Sequence, residues 1–145
     1  MEPVKIGLLG LGTVGGGTVT VLTRNRDEIA RRAGREILIS HAAAKAFRRE
    51  AIEGIDRIPR ISDDAWQVVA DPEVAIVIEL IGGYSPAREL VLQAIANGKH
   101  VVTANKALIA KHGNEIFAAA QRKGVMVAFE AAVAGGVPII KALRE

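Results

Sequence analysis

"GLLGLGTVGGG", residues 7–17, is the stretch on which the fold turns. It grows out of "VKIGLL" (4–9), an apolar run of strand length, and leads into residues 14–32, where Val14, Val21, Leu22 and Ile29 recur at helical spacing. Between strand and helix lies Gly10-x-Gly12-x-x-Gly15, and in that context the spacing has a mechanical meaning. Gly10 permits a tight turn. Gly12 lets the backbone approach a ligand, and Gly15 lets helix and strand pack closely. The amides of Thr13 and Val14 then open a helix N-terminus, where orphan N–H groups and the helix dipole attract an anion. The pattern predicts a pyrophosphate cradle, hence a dinucleotide site; a tight βα turn with no ligand is the plain alternative.

The rest of the chain keeps the same alternation. "EILISHAAA" (36–44), "VAIVIELIGG" (74–83), "KHVVTA" (99–104) and "VMVAFE" (125–130) read as the second to fifth strands. The first helix stops at Gly34. A second is capped by Ser62, with Asp63 and Asp64 in its first turn, and ends near Asp71-Pro72. A third enters through Ser85-Pro86, with proline at the first helical position, and runs to Asn97-Gly98. A fourth covers 105–122, with an interruption expected near Gly113. Residues 46–61 are polar and suggest no element. Five apolar strands separated by helices predict an α/β fold, a doubly wound parallel sheet of the Rossmann type. "PIIKALRE" (138–145) begins one more helix, with Ile139, Ile140 and Leu143 on one face and no C-cap. The expected division is a nucleotide-binding domain over 1–137. Residues 138–145 then start a helix leading into a catalytic domain that the sequence lacks.

Composition agrees with this reading. Half of the 145 residues are hydrophobic but only 3% are aromatic, so the core must be Ala, Val, Ile and Leu. That suits parallel strands covered by helices. The formal charge of +3 is too mild to argue for nucleic acid, and no basic block carries interleaved aromatics. The basic residues of 24–35 alternate with acids and read as a solvated helix face. With no cysteine, disulfide and thiolate chemistry are excluded. No apolar stretch approaches the ~18 residues of a membrane span, and "MEPVKIGLLG" is too short and too soon glycine-rich to read as a signal peptide. The expectation is a cytoplasmic protein without membrane or nucleic-acid partners.

In an open α/β sheet, ligands bind outside the carboxyl ends of the strands. Glu36 lies about 20 residues past the last glycine, the spacing of a ribose-binding acid. It opens the second strand, however, at the end away from the crevice. The correct end carries Lys45, a cation suited to a 2′-phosphate, so NADP is expected to be accepted beside NAD; an ordinary surface lysine is the alternative. Gly82-Gly83 in "ELIGGYSP" allows close backbone approach to the cofactor; a plain turn before a capped helix is the alternative. "TANKAL" places Lys106, after Thr103 and Asn105, at a strand end beside the expected nicotinamide. In "FEAAVAGGVPII", Glu130 ends a strand before a loop able to turn carbonyls inward. One carboxylate with carbonyls suits Na⁺, K⁺ or Ca²⁺ rather than zinc; a strand-end glutamate facing water is the alternative.

"GLLGLGTVGGG", "ELIGG", "GKHVVTANKALIAKHG" and "FEAAVAGGVPIIKALRE" together resemble the nucleotide-binding half of homoserine dehydrogenase, over almost the whole chain. The resemblance implies NAD(P)-dependent interconversion of L-homoserine and L-aspartate 4-semialdehyde, on the route to threonine, isoleucine and methionine. It also implies a cytoplasmic homodimer for the full-length protein. It carries the phosphate loop onto Gly10, Gly12, Thr13, Val14 and Gly15. It carries further cofactor contacts onto Lys45, onto Ile81, Gly82 and Gly83, and onto Thr103, Ala104, Asn105 and Lys106. Lys106 is similar to a lysine of the family's active site. A monovalent-cation loop, for Na⁺ or K⁺, would fall on Glu130 and on the main-chain carbonyls of Val133, Gly135 and Val137.

One departure stands out. The family's second strand often ends in Val-Arg-(Asp/Asn), whereas this chain has Ala44-Lys45-Ala46. The charge is kept and the bidentate fork is lost, which leaves NAD against NADP open. The family's substrate-binding domain, with its second catalytic lysine and the carboxylates that grip the homoserine amino group, has no counterpart in these residues. The chain alone is therefore expected to bind dinucleotide weakly and to turn over negligibly. Two rivals remain. Oxidation of a semialdehyde to an acyl phosphate normally needs a thiol, which is absent. A non-catalytic dinucleotide-sensing module would need no lysine in the crevice.

Overall fold

The computed structural model describes residues 2–130. Six parallel strands form one sheet in the order β3-β2-β1-β4-β5-β6. The strands are β1 (Val4–Leu9), β2 (Ile37–Ala43), β3 (Arg60–Ser62), β4 (Ile76–Glu79), β5 (His100–Thr103) and β6 (Val127–Phe129). The helices are α1 (Thr13–Arg24), α2 (Arg26–Ala33), α3 (Ala65–Ala70), α4 (Ala87–Ala96) and α5 (Lys106–Lys123). The winding reverses between β1 and β4, which pair directly from Ile6↔Ile76 to Leu9↔Glu79. That reversal opens a crevice at the carboxyl ends of these two strands.

Both faces of the sheet are covered. On one face Val4, Ile6 and Leu8 pack with Val19 and Leu22 of α1 and Ile29 of α2. On the other, Leu9, Val77 and Val101 pack with Val68 of α3, Leu90 and Ile95 of α4, and Leu108 and Ile116 of α5. Strands covered on both sides should be apolar without alternation, and all four residues of β4 are buried.

The elements differ from expectation in several places. Among the described residues there are six strands rather than five, because β3 lies within the segment read as featureless. It is an edge strand of three residues, paired to His41, Ala42 and Ala43 of β2. The first helix is two. Asn25 ends α1, its amide and its Nδ2 both donating to the Val21 carbonyl at 3.0 Å, and it also precedes the first turn of α2. The cap of α3 is Asp64, whose Oδ1 accepts from the Trp66 amide at 2.9 Å; Ser62 instead closes β3. Pro86 occupies the cap position of α4 rather than its first turn. α5 runs through Gly113 without interruption. The helix expected from Pro138 lies outside the described residues.

Candidate functional site

The glycine loop leaves the sheet at Leu9. The Gly10 amide donates to the Ala43 carbonyl at 2.8 Å, and the Leu80 amide donates to the Leu9 carbonyl at 2.8 Å, so the ends of β1, β2 and β4 are tied together. Gly10 has φ 107°, and a Cβ there would lie 3.0 Å from the Leu80 carbonyl oxygen. No other residue fits without strain. Gly12 faces open space, with no atom within 4 Å of where its Cβ would be. α1 begins immediately afterwards with no side-chain cap, and its first helical bond runs from the Gly16 amide to the Gly12 carbonyl at 2.7 Å. The amides of Thr13, Val14 and Gly15 precede that bond and have no helical acceptor. Thr13 and Val14 are exposed. Open space over Gly12 beside an uncapped, solvent-facing helix start fits a pyrophosphate.

The neighbouring turn follows β4. Gly82 and Gly83 have φ 84° and 74°, successive left-handed residues that only glycine adopts readily, and Ile81 is 41% exposed beside them. Glu79, which sequence reading did not single out, is fully buried and accepts from the Ile81 amide at 2.8 Å and the Gly82 amide at 3.1 Å. Its one signal in the sequence was an acid closing an otherwise apolar strand. Tyr84 was also not anticipated. Its ring carries the Lys111 ammonium 4.7 Å from its centroid and meets the His112 ring edge-on.

The third segment joins β5 to α5. Thr103 is fully buried and donates its hydroxyl to Glu79 Oε1 at 2.7 Å. Asn105 caps α5, its Oδ1 accepting from the Leu108 amide at 3.0 Å, while its Nδ2 donates to the Gly83 carbonyl at 2.6 Å. These two side chains are committed within the protein. Lys106 differs: it is the first residue of α5, is exposed, and its ammonium has no ion pair or hydrogen bond among the described residues. Ala104, between them, is half-buried.

Lys45 follows the carboxyl end of β2 by two residues, exposed and without an ion pair among the described residues. Its basic neighbours Arg48 and Arg49 are paired with Glu50 and Asp56. Glu36 stands at the opposite, amino end of β2, as its place in the sequence suggested, and it pairs with Arg26. Glu130 is exposed, and its amide donates to the Thr103 carbonyl at 3.0 Å. Val133, Gly135 and Val137 lie outside the described residues. Among those described, no group of three His, Cys, Asp or Glu residues could hold a metal ion. A cavity of about 540 Å³ opens elsewhere, beside the amino half of β2, lined by Lys5, Leu22, Arg26, Ile39, Arg57 and Asp71. None of the site residues borders it. No described helix is long and apolar enough to cross a membrane.

A family model described as the NAD binding domain of homoserine dehydrogenase matches residues 10–130. The chain belongs to this family. The match takes in the glycine loop, Lys45, the 81–83 turn and Lys106. The homoserine dehydrogenase of Pseudomonas aeruginosa is 62% identical over 145 residues, all of this chain and 33% of that one. The homoserine dehydrogenase of Neisseria gonorrhoeae is 56% identical over the same shares. A crystal structure of a homoserine dehydrogenase from Thiobacillus denitrificans superposes with a TM-score of 0.82 at 66% identity, covering 100% of this chain and 33% of that one. The chain thus spans about a third of the length of the curated relatives it matches.

Proposed function

We propose that this chain is the nucleotide-binding part of an NAD(P)-dependent homoserine dehydrogenase, interconverting L-homoserine and L-aspartate 4-semialdehyde in amino-acid biosynthesis. The observation that carries the reading is the cradle: an open Gly12, an uncapped α1 and, across the switch point, an exposed Lys106 with no partner among the described residues. The amides of Thr13, Val14 and Gly15 hold the pyrophosphate. The 81–83 turn and the 103–106 segment flank the nicotinamide end. Lys45 meets a 2′-phosphate where there is one, so NADP is accepted along with NAD.

When bound, the nicotinamide supplies or takes up the hydride. The part left to the chain is placement and charge. The Lys106 ammonium at the crevice stabilises the alkoxide that develops on the substrate oxygen. Glu130, with Val133, Gly135 and Val137, belongs to the same reading as a monovalent-cation loop, as do a homodimer and a cytoplasmic location.

The test is Lys106→Ala in a full-length homoserine dehydrogenase carrying this sequence as its nucleotide-binding third. A dehydrogenase loses about 10²- to 10³-fold in kcat, the scale of one lost oxyanion donor, while cofactor affinity is retained. A dinucleotide sensor keeps its function. The 145-residue chain alone binds dinucleotide with negligible turnover. Measurable homoserine oxidation by it would contradict this division of labour.

A further inference from the structure

We propose that Glu79 is a positioning residue: one buried carboxylate sets the 81–83 turn and the start of α5 at a fixed spacing, and so places the nicotinamide half of the cofactor. The inference rests on the dinucleotide reading above and extends it to a residue that never touches the reacting atoms.

Its basis is a closed ring of hydrogen bonds. Glu79 Oε2 accepts from the amides of Ile81 and Gly82, at 2.8 and 3.1 Å. Glu79 Oε1 accepts from the Thr103 hydroxyl at 2.7 Å, and that same oxygen of Thr103 accepts from the Asn105 amide at 3.0 Å. Asn105 Nδ2 then donates to the Gly83 carbonyl at 2.6 Å, returning to the turn where the ring began. The ring joins two loops that are far apart in sequence, and Lys106 follows directly from its last member.

Stability alone does not account for the residue. Glu79 is 0% exposed, and no cation among the described residues pairs with it. Burying a carboxylate is costly unless hydrogen bonds compensate. A leucine would continue the apolar run of Ile76, Val77 and Ile78 and bury without that cost. A leucine, however, could not hold the amides of a left-handed glycine turn. Nor could it lock that turn to the neighbouring strand end. The cofactor contacts proposed for Ile81, Gly82, Thr103 and Asn105 keep one mutual distance only while the ring is closed. The glycine loop at 10–15 is outside the ring. It contributes no hydrogen bond to the ring and meets it only through Leu80 and Ile81, so the pyrophosphate half of the cofactor should depend on the ring less than the nicotinamide half does.

The test uses calorimetric titration of the full chain with NADPH and, separately, with ADP, which fills the pyrophosphate cradle without reaching the nicotinamide end. Glu79→Ala and Thr103→Val are expected to weaken NADPH by about tenfold, the scale of one or two lost hydrogen bonds. ADP affinity should stay within about twofold of the unaltered chain in both. Thr103→Ser keeps the hydroxyl and should restore most of the NADPH affinity that Thr103→Val loses. Should Glu79→Ala fail to fold, the threonine pair carries the comparison. Parallel losses of NADPH and ADP would mean general loosening and would overturn the assignment, as would unchanged NADPH affinity in Thr103→Val. If the unaltered chain binds neither probe, the dinucleotide reading itself falls, an outcome distinct from both.

Discussion

A Cβ atom on Gly15 would stand 2.0 Å from the carbonyl oxygen of Gly10, far inside any tolerable contact. The start of α1 therefore lies against the turn that feeds it, and only a residue without a side chain permits this. Gly12, three positions earlier, is its opposite: a Cβ there meets nothing within 4 Å. The two glycines of one motif differ in their surroundings, one packed against the fold and the other open to solvent.

Substitution should separate them. Gly15→Ala forces the loop and helix apart and is expected to cost about 1–3 kcal/mol or more, the range for overpacking. Gly12→Ala, at φ −73°, keeps an ordinary backbone and should leave stability within about 0.5 kcal/mol. Its methyl group occupies the space a pyrophosphate needs, so dinucleotide affinity should collapse. Urea unfolding and dinucleotide titration on the same two variants check this. Equal destabilisation by both would show that the loop is a packing feature and no cradle.

The sheet's centre was legible in the sequence because its signals are physical and local. β1, the glycine spacing and the start of α1 follow from one another, and β4 and β5 are apolar runs that only a doubly covered sheet accommodates. The edge was not legible. β3 has three residues, of which Arg60 and Ser62 are polar, and nothing in such a stretch separates a strand from a loop. The break at Asn25 was hidden because the same residue can end one helix and precede the next. Ser62 and Asp64 both satisfy a cap pattern, and tertiary pairing of Ser62 into β3 decided between them. At the site, exposed groups such as Lys45 and Lys106 could be placed from topology alone. Glu79 could not, because its role lies in bonds to Thr103 and to its own turn, which no spacing rule describes.

A buried lysine offers a pH signature. Lys99 is 4% exposed, and its ammonium donates to the carbonyls of Asp71 at 2.6 Å and Val74 at 2.7 Å. Burial pushes its pKa below the ordinary 10.5, and the Asp71 charge recovers only part of this. Between the folded value and 10.5, the unfolded chain therefore holds a proton that the folded chain has released. Stability gained from this residue rises with pH through that window and is absent below it. Lys99→Met should lower stability by about 1–3 kcal/mol, since the Val74 carbonyl loses the lysine's bond and the Asp71 carbonyl keeps only that from the Val74 amide. It should also remove this residue's share of the upward slope. Urea midpoints measured from neutral pH to 10.5 compare the two proteins. An identical slope in the variant would show that Lys99 does not titrate differently on folding.

Cofactor choice should rest on Lys45. It is exposed at the carboxyl end of β2, while Arg48 and Arg49 beside it are engaged by Glu50 and Asp56. NADP and NAD differ only in the 2′-phosphate, so a group that meets that phosphate changes one affinity and not the other. Lys45→Ala should weaken NADP by about tenfold, one charge-assisted contact at an exposed site, and leave NAD unchanged. Lys45→Arg restores the planar fork and should tighten NADP beyond the unaltered chain. The lysine's contribution should shrink as salt is raised, because an exposed pair is screened within about 10 Å at 0.1 M ionic strength. Titrations of both cofactors at two salt concentrations decide the matter. Equal losses for NADP and NAD in Lys45→Ala would place the lysine on the common pyrophosphate or ribose, and the 2′-phosphate assignment would be wrong.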